Sequence, residues 1–185
     1  MSKTPFEKLV HERRSVRRFL DKPVPTEVVT ACLEAARLAP SATNVQPWRF
    51  LVIDDPKVKD DFAREVFSGI YSQTKFAGLA PVLVFLLARP TFVAGQIGRQ
   101  VQGVAFHLID LGIAGEHFVL AAQERGLGTC WIGWFNMRRA RRFFKIPRAY
   151  KPAAIIALGY YERTEPREKK RKPLSEIAWH NSFPG

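Results

Sequence analysis

Apolar positions along the chain fall into two rhythms, and these lay out an alternation of helices and strands. Thr4-Pro5-Phe6-Glu7 opens a short helix: Thr4 caps it, Pro5 fits the first turn and Glu7 completes a capping box. Phe6, Leu9 and Val10 share its apolar face, and the helix runs into Arg13-Arg14-Ser15-Val16-Arg17. A second helix is expected from Thr26 to Leu38, with Val29, Leu33 and Ala36 inward and Pro40 ending it. Ser41 to Pro47 reads as a polar loop, Arg49 to Ile53 as a strand, and Asp54-Asp55-Pro56 as the start of a helix reaching Phe67. Pro81 to Ala88 is nearly all apolar, the signature of a strand covered on both faces.

The longest helical stretch is expected from Val101 to Arg125, after a weakly patterned excursion from Pro90 to Gly98. Its apolar residues spread around most of the circumference, which calls for wide burial, centrally or between subunits. Gly103, Gly112 and Gly115 each cost up to about 1 kcal/mol of helix propensity there, so a closely packed backbone is the expected reason for them. Gly126-Leu127-Gly128 ends the helix. A strand from Thr129 to Gly133, a basic helix from an Asn136 cap to Phe144, and a strand from Ala153 to Tyr160 follow. The segment from Glu162 to Lys172 is charged and lacks a core pattern, whereas Leu174, Ile177, Trp179 and Phe183 require a surface to cover them.

Composition narrows the class. With 185 residues, 46% of them hydrophobic, the chain suits a single domain over 1–185 with one substantial core. No apolar run approaches the roughly 20 residues of a membrane span, and Met1 to Pro5 has no signal-peptide core, so a cytoplasmic location is the expectation. Cys32 and Cys130 lack metal-ligand spacing and read as buried, reduced thiols. His11, His107, His117 and His180 form no triad or metal pattern, and His107 and His117 are expected at a surface or interface.

The formal charge of +12 admits three readings: nucleic-acid binding, a small anionic ligand, or a basic surface that recruits anionic substrates. Met137 to Lys151 contains Arg138, Arg139, Arg141, Arg142, Lys145, Arg148 and Lys151 without an acid, and Phe143, Phe144 and Tyr150 are interleaved. Electrostatic docking plus base stacking is the alternative that segment suggests, against the simpler expectation of a solvated helix face.

Four segments carry candidate chemistry. Arg13, Arg14, Ser15 and Arg17 combine forked donors with a hydroxyl, a set suited to phosphate, although a solvated basic turn is the simpler reading of that segment by itself. Pro40-Ser41-Ala42-Thr43-Asn44-Val45-Gln46-Pro47-Trp48 is a rigid loop dense in donors and acceptors, suited to a heterocycle's polar edge or simply to satisfying itself. In Gly128-Thr129-Cys130-Trp131-Ile132-Gly133-Trp134, Gly133 permits close approach of a flat ligand, and the two Trp are pocket wall or core. Lys169, Lys170, Arg171 and Lys172 before Pro173-Leu174 make a second basic cluster. There is no Walker loop, and Gly126-Leu127-Gly128 precedes a strand instead of opening a helix, so no dinucleotide fingerprint is present.

Taken in order, Arg-Arg-Ser-x-Arg, then Ala-Pro-Ser-x-x-Asn-x-Gln-Pro-Trp, then Gly-Leu-Gly-x-x-Trp, then Lys-Pro-Leu, the chain resembles the nitroreductase family over nearly its whole length. The resemblance implies an α+β sandwich with a central mixed, mainly antiparallel sheet flanked by helices. It also implies an intertwined homodimer with FMN at the interface, the tail from about 162 to 185 wrapping the partner. Arg13, Arg14 and Ser15, helped by Lys169 and Arg171, would hold the FMN phosphate. Arg17 and Lys75 would face the pyrimidine side. Pro40, Ser41, Ala42 and Asn44, with Gln46 nearby, would come from the other subunit, and Trp131, Ile132, Gly133 and Trp134 would line the ring. NAD(P)H is then a transient reductant, and a nitroaromatic or quinone the small oxidant; a non-catalytic flavin binder is the quieter alternative. Two departures from the family pattern stand out: Ser72 where some members have Asn, and Gly133 where several carry an acid.

Overall fold

A computed structural model describes residues 2–90, 103–162 and 168–183. Most of the excursion expected after Pro90, the first two residues of the expected long helix, and part of the charged tail lie outside the described residues. The elements are α1 (Pro5–Glu12), α2 (Thr26–Arg37), a 3-10 turn (Ala42–Asn44), β1 (Trp48–Ile53), α3 (Pro56–Val66) and a 3-10 stretch (Gly69–Leu79). After them come β2 (Val82–Ala88), α4 (Phe106–Glu124), β3 (Gly128–Ile132), α5 (Met137–Phe143), β4 (Lys151–Gly159) and a last 3-10 turn (Leu174–Glu176).

The capping box forms at α1: the Thr4 Oγ1 accepts from the Glu7 N–H at 3.2 Å, and the Glu7 carboxylate accepts from the Thr4 N–H at 2.6 Å. Asp55 and Asn136 cap α3 and α5 in the same manner, through the N–H groups of Val58 and Arg139.

The four strands lie in the order β1-β2-β4-β3, every neighbouring pair antiparallel. The parallel component among the described residues is one bridge, Ser15 to Thr129, on the outer edge of β3. All seven residues of β2 are buried, and their alternation divides the core. Val82, Val84, Leu86 and Ala88 face α2 and α4; Leu83, Phe85 and Leu87 face α3, α5 and the 3-10 stretch. A sheet sandwiched between two helical layers results.

Two expectations about the long helix change. It starts at Phe106, because Gly103 sits at φ +69° and Ala105 at ψ 75°, both outside helical geometry. Gly115 makes room for the Trp131 indole, which occupies the place a Cβ would take, so a side chain and not a backbone explains it; around Gly112 the space is open. His117 lies between helices, its Nδ1 3.3 Å from the Ala35 carbonyl oxygen. Both cysteines are free and buried, and burial pushes the Cys32 thiol up to about 11.

Candidate functional site

The N-terminal basic segment is laid along β3. The Val16 N–H donates to the Thr129 carbonyl at 2.8 Å and the Leu20 N–H to the Tyr160 carbonyl at 2.8 Å, so residues 15–20 run over the ends of β3 and β4. Val16 is buried and Gly128 makes its seat: a Cβ at 128 would stand 2.6 Å from Val16 Cγ2 and 2.7 Å from Tyr161 Cδ1. With Val16 fixed inward, its neighbours Ser15 and Arg17 turn outward and are exposed. Burial raises the Cys130 thiol, opposed by the charge of Arg17, a hydrogen bond from Ser15 and the charge of Arg13, which places all three beside this strand.

The other chain end reaches the same place. The Lys169 ammonium donates to the Val10 carbonyl at 2.7 Å, pinning the tail to the end of α1. Its pKa is held below the ordinary lysine value first by desolvation, then by the positive charges of Arg13 and Arg171. Three cations therefore stand close enough to repel one another. One carboxylate answers them: Glu116 on α4, whose Oε1 is 3.9 Å from Arg13 Nε and whose Oε2 accepts from the Trp131 indole N–H at 3.4 Å. Arg14 and Ser15 line a 600 Å³ cleft with Arg17, Arg18, Tyr161 and Glu162.

Arg17 also extends over the Phe76 ring, 5.9 Å from its centroid, which brings it toward Lys75 on the 3-10 stretch. That stretch is fastened to the end of β3: Thr74 Oγ1 donates to the Trp134 carbonyl at 2.8 Å, and the Trp134 indole N–H donates to the Ile70 carbonyl at 3.0 Å. Gly133 is exposed with nothing within 4 Å of a built Cβ. Arg17, Lys75, Gly133 and Trp134 thus surround one end of β3. Trp131 points to the opposite side, onto α4, and Ile132 is buried in the core, so these two offer an external ligand their backbone. Lys75 and Ser72 both line a 740 Å³ cleft between α3 and the 3-10 stretch, a larger hollow than the one at Arg14.

The loop following α2 is a separate construction. Thr43, Asn44 and Gln46 have φ of 49°, 56° and 49°, with right-handed Val45 (φ -69°) between the last two, and the left-handed geometry is strained for β-branched Thr43. Ser41 Oγ accepts from the Gln46 N–H at 2.9 Å, Asn44 Oδ1 accepts from Gln46 Nε2 at 3.0 Å, and Arg49 donates to the Gln46 carbonyl at 3.1 Å. Buried Asp110 on α4 accepts from the Ala42 N–H at 3.1 Å. Asp110 and Glu116 are six residues apart, about 9 Å along α4 and roughly 120° around it. The structure therefore places the Pro40–Gln46 loop and the Arg13–Arg17 segment on different faces of one helix.

Asp110 and Glu116 were not among the candidates from sequence; the available signal was an acid within an otherwise apolar helix, which demands a partner. The aromatic residues of the basic segment are committed to the core instead: Phe143 and Phe144 pack on Phe62 at 5.5 and 5.0 Å, and Tyr150 lies under Arg89. They present no stacking platform for bases.

The Nitroreductase family profile matches residues 10–73 and 70–160, across the basic segment, the loop, the sheet and β3. The chain belongs to the nitroreductase family. Among relatives, NADH dehydrogenase of Thermus thermophilus is 28% identical over 191 residues, covering 90% of this chain and 91% of that protein. Iodotyrosine deiodinase 1 of Sus scrofa is 31% identical over 197 residues, covering 93% of this chain and 67% of that one. An FMN-dependent nitroreductase from Clostridium difficile R20291 superposes with a TM-score of 0.74 at 26% identity, covering 95% of this chain and 98% of that one. The nitroreductase fold accounts for the helix-covered antiparallel sheet.

The Lys169 cluster makes a direct prediction. Its depressed pKa means the unfolded chain binds more protons between the folded value and the ordinary one, so charged Lys169 lowers stability at neutral pH. An anion between Lys169, Arg13 and Arg171 relieves that repulsion. Inorganic phosphate is expected to raise the Tm of flavin-free protein at pH 7, with the rise shrinking as pH climbs toward the Lys169 value. Equal rises in wild type and Lys169→Gln, measured by calorimetry, would contradict the assignment.

Proposed function

We propose that this nitroreductase-family chain is an NAD(P)H-dependent FMN oxidoreductase, acting as a cytoplasmic homodimer on small oxidants such as nitroaromatics and quinones. FMN, held by the residues below, would supply the redox chemistry, with NAD(P)H as the reductant and the oxidant taking its turn afterwards, a ping-pong cycle. The observation that carries this reading is the meeting of Arg13, Lys169 and Arg171 from opposite chain ends, with the Glu116 carboxylate against them. Three cations near enough to repel one another match a phosphomonoester better than any uncharged ligand. The donor set fits FMN, and Ser15, exposed beside it, adds a neutral donor.

The residues around the end of β3 have separate duties. Arg17 and Lys75, near each other through Phe76, would set positive charge beside a flavin's pyrimidine edge, an electrostatic role requiring no proton transfer. Gly133 leaves room for a ring to lie against backbone. The Pro40–Gln46 loop, anchored on another face of α4, would serve a second copy's flavin. Support for pairing comes from apolar side chains left outside either core: Phe6 (63% exposed), Leu108, Ile109, Trp179 and Phe183 (81% exposed). The relatives' names supply the reductant and flavin classes, an NADH dehydrogenase and an FMN-dependent nitroreductase.

The test begins with purified protein. It is expected to be yellow and to lose its absorbance near about 450 nm on anaerobic mixing with NADH or NADPH, recovering it when a quinone is added. Protein that binds FMN but is reduced by neither nucleotide is a binder and not a reductase, and that result sinks the proposal.

A further inference from the structure

A third cleft, of 700 Å³, opens between residues 68–71 and the start of α5, and no role described so far uses it. Its size is that of a small-molecule pocket. One wall is apolar: Ile70, 72% exposed, Met137, 44% exposed, and the Tyr71 ring. The other carries Arg138 and Arg139, and no acidic residue lines it among the described residues. Arg139 is steadied by Ser68 Oγ at 3.2 Å and the Glu65 carboxylate at 3.7 Å. Arg138 is exposed and makes no hydrogen bond or ion pair with a described residue. Arg141, at the margin, is spent on the carbonyls of Ile146, Pro147 and Tyr150.

The cleft adjoins the end of β3. Tyr71 and Trp134 are ring neighbours at 5.2 Å, and the Trp134 indole N–H holds Ile70 in place. One residue before Trp134 is Gly133, where a flat ligand has open access. A long ligand with a planar ring at Gly133 can therefore extend past Trp134 into a pocket that is apolar on one side and doubly cationic on the other.

We propose that this cleft takes the adenosine half of the pyridine nucleotide and that Arg138 and Arg139 grip a 2′-phosphate, making NADPH the preferred reductant over NADH. The inference rests on the flavin-reductase reading above. Its chemistry follows from what a ribose 2′ position offers: a free hydroxyl calls for a carboxylate acceptor, a phosphate for guanidinium donors. Among the described residues the cleft's lining supplies two guanidiniums, Arg138 and the Glu65-paired Arg139, and no carboxylate of its own. A terminal phosphomonoester also carries more charge than each phosphorus of the bridging pyrophosphate, so paired guanidiniums suit it better. The adenine has Tyr71 and Met137 to lie on.

The test uses the flavin-loaded enzyme and two measurements. Calorimetry is expected to show adenosine 2′,5′-bisphosphate binding about tenfold or more tighter than 5′-AMP, the gain of one charge-assisted contact. Arg138→Glu removes that difference and lowers the ratio of kcat/KM for NADPH to that for NADH about tenfold, with flavin content read from the spectrum alongside. Arg142→Glu, on the same helix but outside the cleft, makes the same change in net charge and is expected to leave the ratio where it was. Equal binding of the two nucleotides overturns the inference, as does an equal fall in the ratio for Arg142→Glu, which would mark a general field. Tight bisphosphate binding in a protein whose flavin neither nucleotide reduces would instead sink the reductase reading and leave the cleft assignment standing.

Discussion

Replacing Arg13 and Arg171 together by alanine is expected to lower FMN affinity by roughly two to four orders of magnitude, from two lost charge-assisted contacts at about 1.5–3 kcal/mol each. Flavin-free stability is expected to change little. The Arg13–Glu116 pair is long, 3.9 Å, and Glu116 is 45% exposed, so the pair contributes little by itself. Removing two cations from around Lys169 also relieves the repulsion that depresses its pKa. Fluorescence titration of FMN into flavin-free protein reads the affinity and calorimetry the stability. Wild-type affinity in the double variant would refute the phosphate assignment. Loss of folding would locate the residues' importance elsewhere.

Gly128→Val is expected to be damaging in both measures. Its added atoms would press into Val16 and the Tyr161 ring, which already stand within 2.7 Å of where the first of them must go. Overpacking of this kind costs about 1–3 kcal/mol. The strain is relieved most easily by lifting residues 15–17 off β3, because that segment is held there by few backbone hydrogen bonds, Val16 to Thr129 among them. Lifting it moves Arg13 and Ser15 together. A lowered Tm with weakened FMN binding is therefore expected, in contrast to the double alanine variant, which weakens binding and spares Tm. A Gly128→Val protein with normal flavin affinity would show that the segment's seat on β3 is not what aims the basic residues.

Local rules made the elements readable and left their meeting points obscure. The Thr4 capping box, the Asp55 and Asn136 caps and the apolar run of β2 each depend on residues a few positions apart, and each lies where the sequence reading put it. The 3-10 stretch from Gly69 to Leu79 has neither period, so no element was expected between Phe67 and Pro81. Lys75 was singled out by family resemblance alone, and Trp134 for its residue type; their proximity arises from side-chain bonds across about sixty residues of sequence. The convergence of residues 13 and 169 follows from the family resemblance alone; the residues by themselves show only two basic clusters at opposite ends. Gly115 shows the same limit in miniature: its presence signalled a close neighbour, but that neighbour was a tryptophan ring on the sheet.

The edge of β3 has a consequence for how the chain survives damage. Its outer side is closed by the passing segment at Ser15–Val16 and by no further strand among the described residues. A proteolytic nick that let Ser15 and Val16 lift off would free the Thr129 carbonyl and leave the strand edge open to pairing with another chain. Such a nicked molecule would leave the soluble pool by self-association, so the same short stretch that presents the basic side chains also keeps the sheet from growing.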